Sequence, residues 1–308
     1  MRAKLFGRLA GIVAAAAVVA VSISVASFAA PPKAAPVPDP PGILKVEFID
    51  VGQGDAALIS CDGEHMLIDG GPTAESSKMY TILKDKGISH LDYVVFSHTD
   101  EDHVGGLSGA LQYADVGACY GPTDARDTKA FASFKKRLTD QGKGITVPDG
   151  TLDFALGGAE VTLMHVTVEG TDTNDDELVA RIVYGTTSFL FTGDISSEAE
   201  KSLVDSGADI ESTVLKVPHH GSNSSSSYAF LRAVNPSISV ISVGADNDYG
   251  HPTEKVLSRY RDLGCALYRT DLQGDVTATS DGQTVTVQTA RVATKDLYTP
   301  GVQASGTY

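Results

Sequence analysis

The chain contains no tryptophan, only three cysteines and 7 % aromatic residues in a length of 308. An odd number of cysteines cannot complete a disulfide framework, and Cys61 and Cys265 lie in strand-like apolar runs where buried free thiols are expected. Basic residues are scarce as well: 24 stand against 39 acidic ones, a formal net charge of −15. A surface of that sign repels polyanions at long range, which counts against a tight non-specific nucleic-acid binder. Apart from one N-terminal segment, no apolar run approaches the roughly 18 residues of a membrane-spanning helix, so a membrane pore is excluded. Internal repeats and charge blocks are missing too. With 42 % hydrophobic residues, this leaves a globular chain long enough for one large layered core.

The N-terminal exception is a separate object. Arg2, Lys4 and Arg8 precede an apolar run from about Gly11 to Val25, and the small residues Ser27, Ala29 and Ala30 follow it. That layout is a secretory signal over residues 1–29, with an uncleaved N-terminal anchor as the alternative. Either way the product is expected outside the cell or at its surface. Without those three cations, 21 basic residues face 39 acidic ones, a balance of −18. Residues 30–42 form a proline-rich linker, 43–292 the folded domain, and 293–308 a tail expected to be flexible.

Hairpin-linked strands are expected at 44–49, 56–59 and 66–68, then a helix over Thr73–Lys86 closed by Gly87. A short apolar strand, Tyr93–Phe96, runs into Ser97-His98, with helices expected near 104–113 and 128–139. The second half has strands near 160–166, 178–184, 188–191, 213–217 and 238–243, and helices near 197–206, 225–234 and 253–263. Two last strands, 276–279 and 284–288, flank Asp281-Gly282. Two strand-rich halves that each carry helices predict an α/β fold, a four-layer αββα sandwich in a single domain.

The densest chemical signal is His98-Thr-Asp100-Glu-Asp102-His103, followed by Gly105-Gly106. Four potential ligands on one loop can grip two cations from opposite sides, and the glycines let the next helix approach closely. Acidic caps of a helix would explain one or two of these residues but not both imidazoles. Asp194 ends an apolar strand, where it can bridge two cations or serve as a plain turn residue. His219 and His220 follow another strand, and on an extended backbone only one of them would face the metal while the other faces substrate. His251 stands just before a helix start, suited to donating to an anion there or to a bland loop role. His165, at a strand end, is a further candidate ligand or a satisfied structural histidine, and His65 and His90 are read as structural or solvated. The serine run 222–227 is a possible substrate rim, and Lys129, Lys135, Lys136 and Arg137 form a basic strip or, more simply, a solvated helix face.

Taken in order, these pieces resemble the metallo-β-lactamase superfamily, and more narrowly the hydrolase domain of the ComEC competence proteins that take up DNA. The segments that carry the resemblance are Phe48-Ile-Asp-Val-Gly-Gln-Gly-Asp-Ala56, Leu67-Ile-Asp-Gly-Gly71, Ser97 to Gly106, Leu190-Phe-Thr-Gly-Asp194, Leu215-Lys-Val-Pro-His-His-Gly-Ser222, Gly250-His-Pro252 and Arg269-Thr-Asp271 with Gly274. They span about residues 43 to 288. The resemblance implies two divalent metal ions, zinc or manganese, on His98, Asp100, Asp102, His103, Asp194 and one of His219 or His220, with His220 favoured. The superfamily's usual histidine is replaced by Asp100, and its separate third-histidine motif is not recognisable. Asp175, in Asn174-Asp-Asp176, or His165 is the candidate in its place. An oxygen-richer ligand set shifts preference from zinc towards manganese.

The activity expected on these grounds is hydrolysis of a phosphodiester by a metal-activated hydroxide, as in a nuclease. Asp102 or Asp194 would orient the hydroxide, and His219 or His251 would steady the phosphate or protonate the leaving oxygen. The substrate would be a phosphoester, DNA or a cell-wall component, and no protein partner is indicated. Rival readings are a phosphorylcholine-type esterase, a β-lactam or lactone hydrolase, and a metal-stabilised binding module without catalysis.

Overall fold

The computed structural model describes residues 42–168 and 176–302. The N-terminal signal, the linker up to residue 41, Asp175 and the end of the tail lie outside the described residues.

The first half opens as an antiparallel meander of β1 (Leu44–Phe48), β2 (Ala57–Cys61) and β3 (Glu64–Ile68). It then changes character. α1 (Ser76–Lys86), closed by a left-handed Gly87, carries the chain to β4 (His90–Val95), parallel to β3. α2 (Glu101–Val104) and α3 (Leu107–Tyr113) lead to β5 (Asp115–Tyr120), and α4 (Lys129–Asp140) leads to β6 (Ile145–Thr146), both again parallel.

The second half follows the same plan. β7 (Thr151–Leu156), β8 (Ala159–Thr167), β9 (Asp176–Tyr184) and β10 (Thr187–Phe191) pair antiparallel. Helical crossovers α5 (Ser197–Asp205), α6 (Tyr228–Val234) and α7 (Glu254–Leu263) then add the parallel strands β11 (Val214–Lys216), β12 (Ile238–Ile241) and β13 (Ala266–Arg269). After α8 (Thr270–Gln273), β14 (Val276–Ser280) and β15 (Val285–Thr289) return to the first sheet, where β14 pairs with β1.

Strand periodicity explains the layering. In β2, Ala57, Ile59 and Cys61 face the other sheet while Leu58 faces α1 and α3; in β10, Phe189 and Phe191 face inward while Leu190 meets the second helical layer. Both strands are buried at every position, as strands covered on two faces must be. The buried apolar side chains accordingly fall into an inter-sheet core and two sheet–helix cores, the αββα sandwich expected from the sequence.

Strands β5, β6 and β7 and the short helix α8 were not expected from the sequence, and three further details differ. The helix expected over 104–113 is broken into α2 and α3: the Asp102 and His103 carbonyls accept from the Asp55 and Gly70 N–H groups and Gly106 N–H donates to the Gly71 carbonyl, and Gly106 lies so close that an added Cβ would meet the Gly70 carbonyl oxygen at 1.9 Å. The helix expected from Ser225 begins at Tyr228, since Ser227 spends its hydroxyl as the cap on the Phe230 N–H. The stretch after Val292, expected to be flexible, is held as far as Gly301. Arg269 donates to the Leu297 and Thr299 carbonyls, Gly301 N–H donates to Pro252, and Leu297 and Tyr298 pack on the second helical core. Arg269 is fixed for this by both carboxylate oxygens of Asp271, at 3.0 and 2.7 Å. All three cysteines are free and buried. Among the described residues no helix is long and apolar enough to cross a membrane.

Candidate metal centre

Strand ends from both sheets meet at one place. From the first sheet come Asp55 after β1, Asp69 after β3, and His98 and the α2 residues Asp102 and His103 after β4. The second sheet supplies Glu177 in β9, Asp194 after β10, and His219 and His220 after β11. A backbone bond from Leu178 N–H to the Ser97 carbonyl, 2.8 Å, ties the two edges together here.

Asp102, His103, Asp194 and His220 each present a ligand atom within 4.8 Å of the others, and all but Asp102 are buried. The Asp194 carboxylate lies 3.4 Å from His103 Nε2 and 3.3 Å from His220 Nε2. Asp102 Oδ2 is 3.3 Å from His220 Nε2. Beside this group His98 points its Nε2 towards Asp100 Oδ2 at 3.8 Å, and the rings of His98 and His103 are 4.1 Å apart. Nε2 of His98, His103 and His220, together with Asp194 Oδ1, are buried without a hydrogen-bond partner among the described residues. Leaving four such buried atoms without a hydrogen bond is costly, and cations of the kind bound by mixed imidazole and carboxylate sets would satisfy all of them. The residues therefore fit a metal centre, with the fourfold group as one position and His98 with Asp100 beside it as the other.

The opposite ring nitrogens are occupied. His103 Nδ1 meets Asp69 Oδ2 at 3.0 Å, and Asp69 is itself held by the Ser97 N–H and hydroxyl, each at 2.8 Å. His220 Nδ1 donates to the Ser242 carbonyl at 2.9 Å. His98 Nδ1 lies 3.3 Å from Glu177 Oε1, which also accepts the Asp194 N–H at 3.1 Å. With Nδ1 committed in this way, each ring offers Nε2 to the centre. Gly193 makes the Glu177 contact possible: at φ 51° it lies so close that a Cβ would fall 2.3 Å from Glu177 Oε2.

Electrostatics matches a site built for positive charge. Burial pushes the Asp194 carboxyl up, but the imidazoles of His220 and His103 more than reverse this and hold it well below the carboxylate range. For His103 burial acts downward and is overcome by Asp194, Asp69 and Asp102; for His220 it is overcome by Asp194, Asp55 and Asp102. Both imidazoles end well above their ordinary value. Burial pushes the Glu177 carboxyl up to about 7 against the pull of His98. Burial also lowers His251, to about 4, and His219, so neither carries a proton charge near neutrality.

His219 and His220 separate for a different reason than expected. They do not alternate on an extended strand; both are left-handed, at φ 50° and 52°, in the tight turn Pro218–Gly221. That turn drives His220 into the centre and leaves His219 24 % exposed, with Nε2 3.6 Å from Asp194 Oδ2 and Nδ1 3.2 Å from the Ser224 hydroxyl. Holding two β-substituted residues there costs on the order of 1–2 kcal/mol each. His251 stacks on the exposed Tyr249 ring at 5.5 Å and meets the His219 ring edge-on at 5.8 Å. Asn247 clamps its loop by accepting from the Tyr249 and His251 N–H groups and donating to the Gly244 and His251 carbonyls.

His165 is elsewhere, with both nitrogens engaged by the Pro148 carbonyl at 3.1 Å and Asp176 Oδ1 at 2.8 Å. His165 is not among the clustered ligand atoms, and Asp175 lies outside the described residues. The buried carboxylate of that region is Glu177, which sequence reasoning passed over. Asp55 and Asp69 were present in the quoted segments but had no role attached.

A family model described as "Metallo-beta-lactamase superfamily" matches residues 49–245. The chain belongs to the metallo-β-lactamase superfamily. It is by membership a metal-dependent hydrolase, in a fold that carries a dinuclear metal site. Competence protein ComA of Neisseria gonorrhoeae is 34 % identical over 227 residues, which are 73 % of this chain and 30 % of the relative. ComE operon protein 3 of Bacillus subtilis (strain 168) is 27 % identical over 257 residues, 75 % of this chain and 32 % of the relative. The chain thus spans about a third of the length of these curated relatives. Among solved structures, the metallo-β-lactamase fold protein YhfI of Bacillus subtilis aligns with a TM-score of 0.50 at 13 % identity, covering 73 % of this chain and 95 % of that one. The diiron β-hydroxylase CmlA of Streptomyces venezuelae aligns with a TM-score of 0.50 at 14 % identity, covering 78 % and 55 %. These two likenesses concern the fold alone.

Proposed function

We propose that the chain is an exported phosphodiesterase that works with two divalent cations. The observation that carries this is the convergence of His98, His103 and His220 Nε2 with Asp194 Oδ1, buried and without hydrogen-bond partners among the described residues. Asp102, His103, Asp194 and His220 would hold one cation, and His98 and Asp100 the other, with Asp194 shared between them. The carboxylate at Asp100 favours manganese over zinc. Such a pair supplies Lewis acidity and a water acidified to near neutral pH.

The chain's own residues do the rest. Asp102 and Asp194 bracket the reacting centre and orient the nucleophile. His219 and His251, held neutral, act as hydrogen-bond donors to phosphate oxygens rather than as proton sources at pH 7. The resemblance to competence proteins suggests DNA as a substrate. The net charge of −15 disfavours a long polyanion, and three of the four cations of α4 are engaged locally: Lys135 with the Asp124 carbonyl, Lys136 with Asp140, Arg137 with Gln112. That charge is the specific ground for a second reading, a phosphorylcholine-type esterase acting on a cell-wall component. Turnover of bis-p-nitrophenyl phosphate, single-stranded DNA, p-nitrophenylphosphorylcholine and nitrocefin, with added manganese or zinc, tests both. Phosphodiester turnover is the expected result; bound metal with no turnover on any of the four would leave a binding module instead.

A further inference from the structure

Beneath the centre lies a second cluster whose two carboxylates the proposed function leaves unused. Asp55, Asp69 and His103 are all buried and offer ligand atoms within 4.8 Å of one another, on the Nδ1 side of His103. His103 thus stands between two carboxylate-lined faces, and either could take a cation. The lower face already has one. Lys216, 3 % exposed, places its ammonium 2.6 Å from Asp55 Oδ2 and donates to the Val217 carbonyl at 2.7 Å. The other oxygen of Asp55 lies 3.3 Å from His220 Nδ1, so the one ion pair lies behind both metal-facing imidazoles. The remaining space, lined by Asp55, Asp69, Lys216 and Ser242, is about 10 Å³, room for a single water and not for a hydrated ion.

We infer that Lys216, through its buried pair with Asp55, is a positioning residue for the metal centre: it fills the lower face with a fixed positive charge and so backs Asp69 and the Ser242 carbonyl in keeping Nε2 and not Nδ1 of His103 and His220 turned to the divalent ions. Asp55 and Lys216 occupy the segments Gly52-Gln-Gly-Asp55 and Leu215-Lys-Val217, so this pairing gives both a task. The inference rests on the metal-centre reading and not on the identity of the substrate.

The test uses the full chain and Mn²⁺ alone as probe, and reads metal stoichiometry and affinity by chelator competition beside the melting temperature of the metal-free protein. Lys216→Met leaves the buried Asp55 carboxylate without its ammonium partner, and is expected to lower both stability and affinity. The double variant Asp55→Asn, Lys216→Met removes both charges and decides the matter. Recovery of metal-free stability, with Mn²⁺ affinity still reduced about 10- to 100-fold, is the result expected of a positioning pair. An affinity within twofold of wild type in that variant overturns the inference. So does its failure to fold, which would make the pair a requirement of the fold and not of the centre. Wild-type protein that binds no Mn²⁺ at all would instead remove the metal-centre reading on which the inference stands.

Discussion

Asp194 faces two imidazoles at once, His103 Nε2 at 3.4 Å and His220 Nε2 at 3.3 Å, from the end of a strand in the opposite sheet to His103. A short carboxylate in that place is shared by whatever the imidazoles bind. Replacing Asp194 by Asn keeps the shape and removes the charge. Asp194→Asn is expected to lower phosphodiester turnover by at least about 10²-fold and to reduce bound metal below that of the wild type, read by elemental analysis. Full metal content with unchanged turnover would remove Asp194 from the centre.

His251→Ala separates support from ligation. Its ring is buried and its Nδ1 has no hydrogen-bond partner among the described residues, while the neighbouring ring on the metal side is His219. Turnover is expected to fall about 10- to 100-fold with metal content intact. Loss of metal would instead make His251 a ligand.

Metal binding and protons compete at this site. In the metal-free protein His103 and His220 are held well above their ordinary value by the surrounding carboxylates, so near pH 7 both carry an extra proton that a cation must displace. Affinity should therefore rise with pH. Titration calorimetry in two buffers of different ionisation enthalpy should show protons released on binding, and equal heats in both buffers would contradict this. Saturating metal at about 100 times its dissociation constant should also add about 2.7 kcal/mol of stability, read as a rise in melting temperature that a chelator reverses.

Away from the centre, Glu200 gives a pH signature of its own. Its side chain is buried and accepts from the Ser226 and Ser227 N–H groups at the start of α6. Burial raises its carboxyl from 4.5 to about 6, opposed by those N–H groups and Arg259. A carboxyl raised on folding stabilises the native state fully below about pH 4.5, and this contribution is lost as pH rises through 6. Over that window wild type should lose about 2 kcal/mol relative to Glu200→Gln, whose stability should be flatter with pH. Parallel denaturation curves from pH 4.5 to 7 would count against the assignment.

Much of this was legible in the sequence because the signals were local. The period-two strand 44–48, the apolar run 57–61 after its glycine turn and the helix Thr73–Lys86 closed by Gly87 carry their own patterns. His98 to His103 are a single loop. What stayed hidden depends on tertiary contact. β5 contains Gly117, whose lack of a side chain reflects close passage by the Asp92 carbonyl and breaks the strand pattern. Glu177 sits inside a strand, where a carboxylate looks like an outward-facing residue until His98 is placed beside it. The divergence of His219 and His220 is set by two left-handed residues that no propensity favours. Arg269 gave no hint that it gathers the chain end, since its acceptors are backbone carbonyls 28 and 30 residues away.

The candidate ligands are divided between the layers: His98, Asp102 and His103 hang from the first sheet, Asp194 and His220 from the second. An ion held by both sets is a rivet through the sandwich, and its removal loosens the seam along which the sheets could part. Chemistry and mechanical integrity would then share the same few atoms, so a damaged centre should betray itself first as a faster opening of the rim between β4 and β10.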